Sequence, residues 1–253
     1  MREDSQKLKI AIFTEVFLPK IDGIVSIVCL MLRRLNELGH EVLLIGPETD
    51  HKEYEGAKIV SVKGPPFPFY PELKINIARP YVRKALDEFQ PDIIHAVNPA
   101  FLGPYGIYYA RRRKMPLIAS FHTDIVQYAR HYGLGLTAPL VWTYFRVLHN
   151  QADLNLGPST YVRDMLVEQN FKNVHWWKRG IDTDFFSRGY RDPAVRQRLS
   201  DNHPDDFLLV YVGRAAREKG LFEIRDAIFP REGVRLCIVG GGPAYDELRE
   251  HYA

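Results

Sequence analysis

Residues 8–46, LKIAIFTEVFLPKIDGIVSIVCLMLRRLNELGHEVLLIG, change their hydrophobic period twice, and that change decides the fold. Residues 8–14 are a short apolar run rich in β-formers, and Pro19, Asp22 and Gly23 then turn the chain. Ile24, Val28, Met31, Leu35 and Leu38 recur at helical spacing, Gly39 ends the helix, and residues 41–45 form the next strand. A strand, a crossover helix and a second strand make the unit from which parallel sheets are built.

The alternation continues outward. Strands are expected at 59–62, 92–97, 117–121, 153–157 and 175–177, with helices over 79–89, 101–113, 137–150 and from a Ser159 cap to residue 169. The pattern predicts an α/β fold with a complete, doubly wound, parallel Rossmann-like sheet in residues 1–178. Residues 64–71, GPPFPFYP, hold four prolines in eight positions and are expected to form a rigid surface loop without regular structure. Residues 179–206 are polar and rich in Arg and Asp, and read as a linker with a short helix. The alternation restarts over 207–253 with two strands, at 207–212 and 234–239. Two strands are too few to cover both faces of an open sheet, so this second domain is expected to be the beginning of a truncated one; the alternative is an appendage to the first domain.

Composition narrows the classes. Among 253 residues, 46% are hydrophobic and 26% charged, which excludes a disordered chain, and a net charge of +3 is too mild to argue for nucleic acid. Cys29 and Cys237 sit in separate apolar runs without metal-type spacing, as in a reduced cytoplasmic protein. Residues 1–9 lack the apolar core of a signal peptide, and no apolar run approaches the ~20 residues that span a bilayer.

Several constellations could carry chemistry. The loop from Thr14 through Asp22 and Gly23 joins a strand end to a helix start, where free N–H groups and the helix dipole suit a phosphate, though it also reads as an ordinary tight turn. Ser120-Phe121-His122-Thr123-Asp124 ends an apolar strand, so His122 and Asp124 could face a ligand, or simply pair with each other. Arg214 and Lys219 flank a strand-to-helix turn where two cations could stabilise a departing diphosphate. Gly240, Gly241 and Gly242 could let a nucleotide lie against the backbone, or could serve the turn alone. Arg111, Arg112, Arg113 and Lys114, preceded by Tyr108 and Tyr109, suit an anionic membrane surface or a solvated helix end, with Arg130, His131, Trp142, Tyr144, Phe145 and Arg146 as candidate neighbours.

The ordered series TEVFLPKIDGI, LNELGHEVLLIGPE, PDIIHAVNPAFLG, SFHTD, YGLG, HNQADLNLGPS, KRGIDTDFF and VGRAAREKGL resembles glycosyltransferase family 4, whose members are retaining enzymes of the GT-B fold. The nearest subgroup contains GDP-mannose-dependent α-mannosyltransferases, sulfoquinovosyl-diacylglycerol synthases and related glycolipid transferases. The resemblance implies transfer of a hexose from a nucleotide-sugar donor, GDP-mannose or a UDP-sugar, to a lipid or glycan acceptor. It implies front-face transfer aided by the leaving phosphate, with no metal or other cofactor. It places His122 and Asp124 by the transferred sugar, and Arg214 and Lys219 on the donor diphosphate. Gly23, Gly240, Gly241 and Gly242 fall beside the donor, and Glu15, Asp22 and Tyr128 on the acceptor side. It implies a cytoplasmic protein, possible peripheral contact with the inner face of the membrane, and a cleft shared by the Gly23 and Arg214 loops. The family's Glu-x7-Glu segment is expected beyond residue 253. A non-catalytic binding module and a GT-B-type nucleotide-sugar epimerase are the alternatives.

Overall fold

A computed structural model describes residues 7–67, 70–122, 137–228 and 231–252. The chain divides after Asp182 into two compact units, so most of the expected linker packs with the second unit.

The first unit is built on an eight-stranded sheet. Its strands are β1 (Lys9–Thr14), β2 (Glu41–Pro47), β3 (Glu53–Tyr54), β4 (Ala57–Val62), β7 (Ile93–Val97), β8 (Leu117–Ser120), β9 (Leu154–Gly157) and β10 (Val174–Trp176), while β5 (Pro66–Phe67) and β6 (Tyr70–Lys74) form a separate ribbon. Strand order is β10-β9-β8-β7-β1-β2-β4-β3, parallel except for the β3–β4 hairpin. The chain runs from β1 to one side through β2 and β4, then returns to lay β7, β8, β9 and β10 on the other. The switch point therefore lies between β1 and β7.

Alternation across β1 explains the layers. Ala11 and Phe13 face a core with Leu86, Leu102 and Ile107, from the helices α2 (Pro80–Phe89) and α3 (Gly103–Arg113) and the turn before α3. Ile12 points to the opposite face and packs with Val28 and Leu32 of α1 (Gly23–Glu37). Fully burying a side chain such as Phe13 or Leu32 contributes roughly 1.5–3 kcal/mol. A third cluster, Phe121, Phe145, Leu166 and Phe171, packs the helices α4 (Ala138–His149) and α5 (Thr160–Glu168) beside the β8 end. Ser159 caps α5 as expected, accepting the Val162 N–H at 3.1 Å.

One expectation fails. The proline-rich stretch is not without regular structure: Pro66 pairs with Lys74 and Phe67 with Tyr70 in an antiparallel ribbon. The ribbon is two strands wide, and proline is tolerated at such edges because its carbonyl still accepts, as Pro65 does from the Ile75 N–H at 2.8 Å.

The second unit holds α6 (Pro193–Leu199), then β11 (Phe207–Val212) and β12 (Val234–Val239) paired in parallel. With α7 (Ile224–Ile228) and α8 (Tyr245–Tyr252) come a small core of Ala215, Leu221, Ala244 and Leu248.

Candidate active site

In open α/β sheets ligands bind beyond the carboxyl ends of the strands at the switch point. Here Glu15 follows β1, Asn98 follows β7 and His122 follows β8. Two residues of the first unit that were expected at a site, Asp124 and Tyr128, lie outside the described residues, as do Arg130 and His131.

His122 sits in a network that sequence reading missed. Its Nε2 lies 2.9 Å from Ser120 Oγ, and the same hydroxyl lies 2.9 Å from Nε2 of His95. The sheet register explains the meeting. His95 is opposite Ile118 and Val97 is opposite Ser120, so His95 and Ser120 are diagonal neighbours on one face. Asn98, in the left-handed region at φ 50°, accepts the His122 backbone N–H at 3.1 Å and donates its own N–H to the Ser120 carbonyl at 2.7 Å. The Trp177 ring meets both imidazoles near-edge-on, at 6.1 Å from His95 and 5.6 Å from His122. Burial pushes His95 down to about 4. His122 is pushed to about 3, by burial first and then by neighbouring His95 and Arg179. Both rings are thus neutral at physiological pH. Nδ1 of His122 is buried and has no hydrogen-bond partner among the described residues.

The first loop differs from its expected use. Glu15 was expected on the acceptor side, but its side chain is buried and turned to the protein's own backbone. Oε1 accepts the N–H groups of Ala100, Phe101, Leu102 and Gly103 at 2.9–3.0 Å, and Oε2 takes Leu102 again at 3.1 Å. It caps α3 from another loop, supplying acceptors to donors that a helix start leaves unpaired. Burial pushes its pKa up and the four amides pull it back.

Asp22 is the local cap of α1, accepting Ile24 and Val25 N–H at 2.9 and 2.8 Å, and pairs with Lys20 at 3.2 Å. Two of the amides expected for a phosphate are therefore taken by Asp22. Gly23 is the first helical residue, exposed, with open space where a side chain would stand.

In the second unit the two strand-end loops are knitted together. The Ala215 N–H donates to the Gly241 carbonyl at 2.8 Å, and the Ala244 N–H to the Ala215 carbonyl at 3.0 Å. Gly240 and Gly242 have φ of 143° and 153°, and a Cβ there would stand 1.9 Å from the Gly213 carbonyl oxygen and 2.3 Å from that of Ala215. These two glycines serve the approach of one loop to the other; Gly241 alone has open space beside it. Arg214, on the same loop, pairs with Glu218 at 2.8 Å with both side chains largely buried. Lys219 closes the short helical turn and is exposed.

The basic run at the end of α3 is partly neutralised. Arg111 pairs with Asp153 at 2.9 Å, and Arg113 with Asp87 at 2.6 Å. Trp142 and Phe145 belong to the aromatic cluster around Phe121 rather than to a surface patch. Among the described residues no helix is long and apolar enough to cross a membrane.

The sequence pattern described as Glycosyltransferase Family 4 matches residues 21–185. The chain belongs to glycosyltransferase family 4. This family 4 chain is 36% identical to a GDP-mannose-dependent alpha-mannosyltransferase of Mycobacterium tuberculosis, over 93% of its own length and 63% of that relative's. It is 28% identical to sulfoquinovosyl transferase SQD2 of Arabidopsis thaliana, over 87% of its own length and 44% of that protein. Among solved structures, sucrose-phosphate synthase from Thermosynechococcus elongatus superposes with a TM-score of 0.71 at 15% identity, covering 96% of this chain and 66% of that one. That likeness concerns the fold, which is of the GT-B type. The chain spans less than two thirds of the mannosyltransferase relatives, 60–64% of their length.

Proposed function

We propose that this chain serves a retaining hexosyl transfer from a nucleotide diphosphate sugar to a lipid or glycan acceptor, without a metal or other cofactor. The observation that carries the reading is His122. It is a half-buried, neutral imidazole at the end of β8, one strand from the switch point, with one ring nitrogen held by Ser120 and the other without a partner among the described residues. Such a group can hydrogen-bond a sugar hydroxyl without bringing a charge into the site.

In this reading Arg214 and Lys219 bind the donor diphosphate. A unit charge pair at 4 Å is worth about 4 kcal/mol at an effective dielectric constant near 20, so two cations take up much of the charge released as the glycosidic bond breaks. The acceptor hydroxyl attacks from the face the diphosphate leaves, and its proton passes to the departing phosphate oxygen. Mannose from GDP-mannose is the first donor to test, because the mannosyltransferase relative is the more similar of the two compared; glucose and sulfoquinovose from UDP follow. A lipid acceptor is favoured by Leu140, Tyr144 and Val147, which α4 leaves exposed, and a cytoplasmic protein in peripheral contact with the membrane's inner face fits such an acceptor.

The test is transfer from GDP-mannose, UDP-glucose and UDP-sulfoquinovose to lipid and glycan acceptors, with product anomeric configuration read by NMR. Arg214→Ala is expected to weaken donor binding at least ~10-fold, the loss of one charge-assisted contact of about 1.4 kcal/mol or more. Unchanged donor affinity in a folded Arg214→Ala protein, or an inverted product, would count against the assignment.

A further inference from the structure

The Ser120 hydroxyl stands between two imidazole nitrogens and has only one proton to give. Its oxygen is fully buried, and among the described residues it has no third hydrogen-bond partner. If the hydroxyl donates to Nε2 of His122, that ring carries its proton on Nδ1, and His95 must donate from its own Nε2 to the Ser120 oxygen. If the hydroxyl donates to His95, every sense reverses, and Nδ1 of His122 becomes an acceptor. Of the two remaining arrangements, both rings donating strands the hydroxyl proton, and both rings accepting leaves one ring nitrogen facing an oxygen lone pair, each in a buried place at a cost of about 1–3 kcal/mol. The two rings are therefore not independent.

We infer that Ser120 and His95 are positioning residues for His122, a relay that holds the two rings in opposite tautomers, so that the hydrogen-bonding sense Nδ1 of His122 offers the substrate is set jointly with the tautomer of His95. The inference rests on the transferase reading for its consequence in catalysis, but the lock itself is a property of this chain. Three further contacts hold the geometry: the Asn98 side chain on the His122 backbone N–H, the Asn98 N–H on the Ser120 carbonyl, and the Trp177 ring against both imidazoles. A ring held at backbone, edge and one nitrogen has little left to reorganise when a sugar hydroxyl arrives, which is where a pre-set donor or acceptor acts.

The experiment is 15N NMR of the histidine-labelled protein at pH 7, with ring signals assigned through His95→Gln and His122→Asn. The wild type should show His95 and His122 with opposite tautomer preferences, a proton on Nε2 of one ring matched by a proton on Nδ1 of the other. Ser120→Ala should turn His122 into a tautomer mixture and slow hexosyl transfer by roughly 10-fold or more with donor KM within about two-fold, and Ser120→Thr should restore both. His95→Gln keeps a polar group opposite the hydroxyl but lets it bond either way, so His122 should again become mixed; this variant carries the test if Ser120→Ala does not fold. Like tautomers in the wild type, or an unshifted His122 in folded Ser120→Ala or His95→Gln, would overturn the relay. Should the wild type transfer no hexose from any donor, the transferase reading fails, while the ring signals still decide the lock.

Discussion

Removing the Glu15 carboxylate tests how the site's floor is held. Its oxygens accept four consecutive amides, those of Ala100, Phe101, Leu102 and Gly103, at distances of 2.9–3.1 Å, and the helix that begins there carries the wall behind β7. Every contact is with a donor, so the group is held as the carboxylate. Glu15→Ala leaves four donors without an acceptor, three of them in buried residues. At about 1 kcal/mol or more for each orphaned amide, the loss is at least about 4 kcal/mol. Glu15→Gln keeps one oxygen for the amides but turns an NH2 group toward Leu102 and gives up the charge at the helix start. Charge-assisted bonds exceed neutral ones by roughly 1 kcal/mol and the helix dipole adds up to ~2, offset by relief of the buried charge, so a loss of about 2–3 kcal/mol is expected. For a unit of this size 1 kcal/mol moves Tm by about 2–4 °C, giving a fall of roughly 8–16 °C for Glu15→Ala and about half that for Glu15→Gln. Thermal unfolding by circular dichroism at pH 7 reads both. A Glu15→Ala protein within about 1 kcal/mol of wild type would refute the remote-cap reasoning.

Two further outcomes follow from the same geometry. His95, His122 and His149 take up protons only near 4, 3 and 4 in the folded chain, against 6.5 when exposed. The unfolded chain therefore binds protons first, and stability is complete above about pH 6.5 and falls as the pH drops towards 4, by up to about 2 kcal/mol per histidine at pH 5. Urea unfolding at pH 7 and pH 5 checks this, and a free energy equal or greater at pH 5 would contradict it. Gly242→Ala would drive a Cβ to 2.3 Å from the Ala215 carbonyl oxygen at a φ of 153°, so the second unit should lose its hydrogen-exchange protection at Ala215 and Ala244 while Gly241→Ala, with open space, keeps it. Equal protection in both variants would remove the close-approach argument.

Much of the first unit was legible along the chain. The switch from period-two to helical spacing over residues 8–46 located β1, α1 and β2, and the Ser159 cap placed α5, because these signals are written within one turn or one strand of the residues that feel them. The same locality explains the failures. Pro66 reads as a breaker until its edge position in a two-stranded ribbon is known. Asp22, which the family resemblance puts on the acceptor side, is seen to cap α1 only once its bonds to Ile24 and Val25 are known.

The sequence by itself determined most element types, the parallel α/β class and the family, and it singled out His122 and Arg214. Only tertiary structure decided what those residues face. Glu15 meets amides 85–88 positions away, and His95 meets Ser120 across 25 positions, because sheet order and register bring strand ends together. Hydrophobic periodicity reports which side of an element is buried, and a hydrogen bond across strands needs in addition which neighbour lies there and in what register.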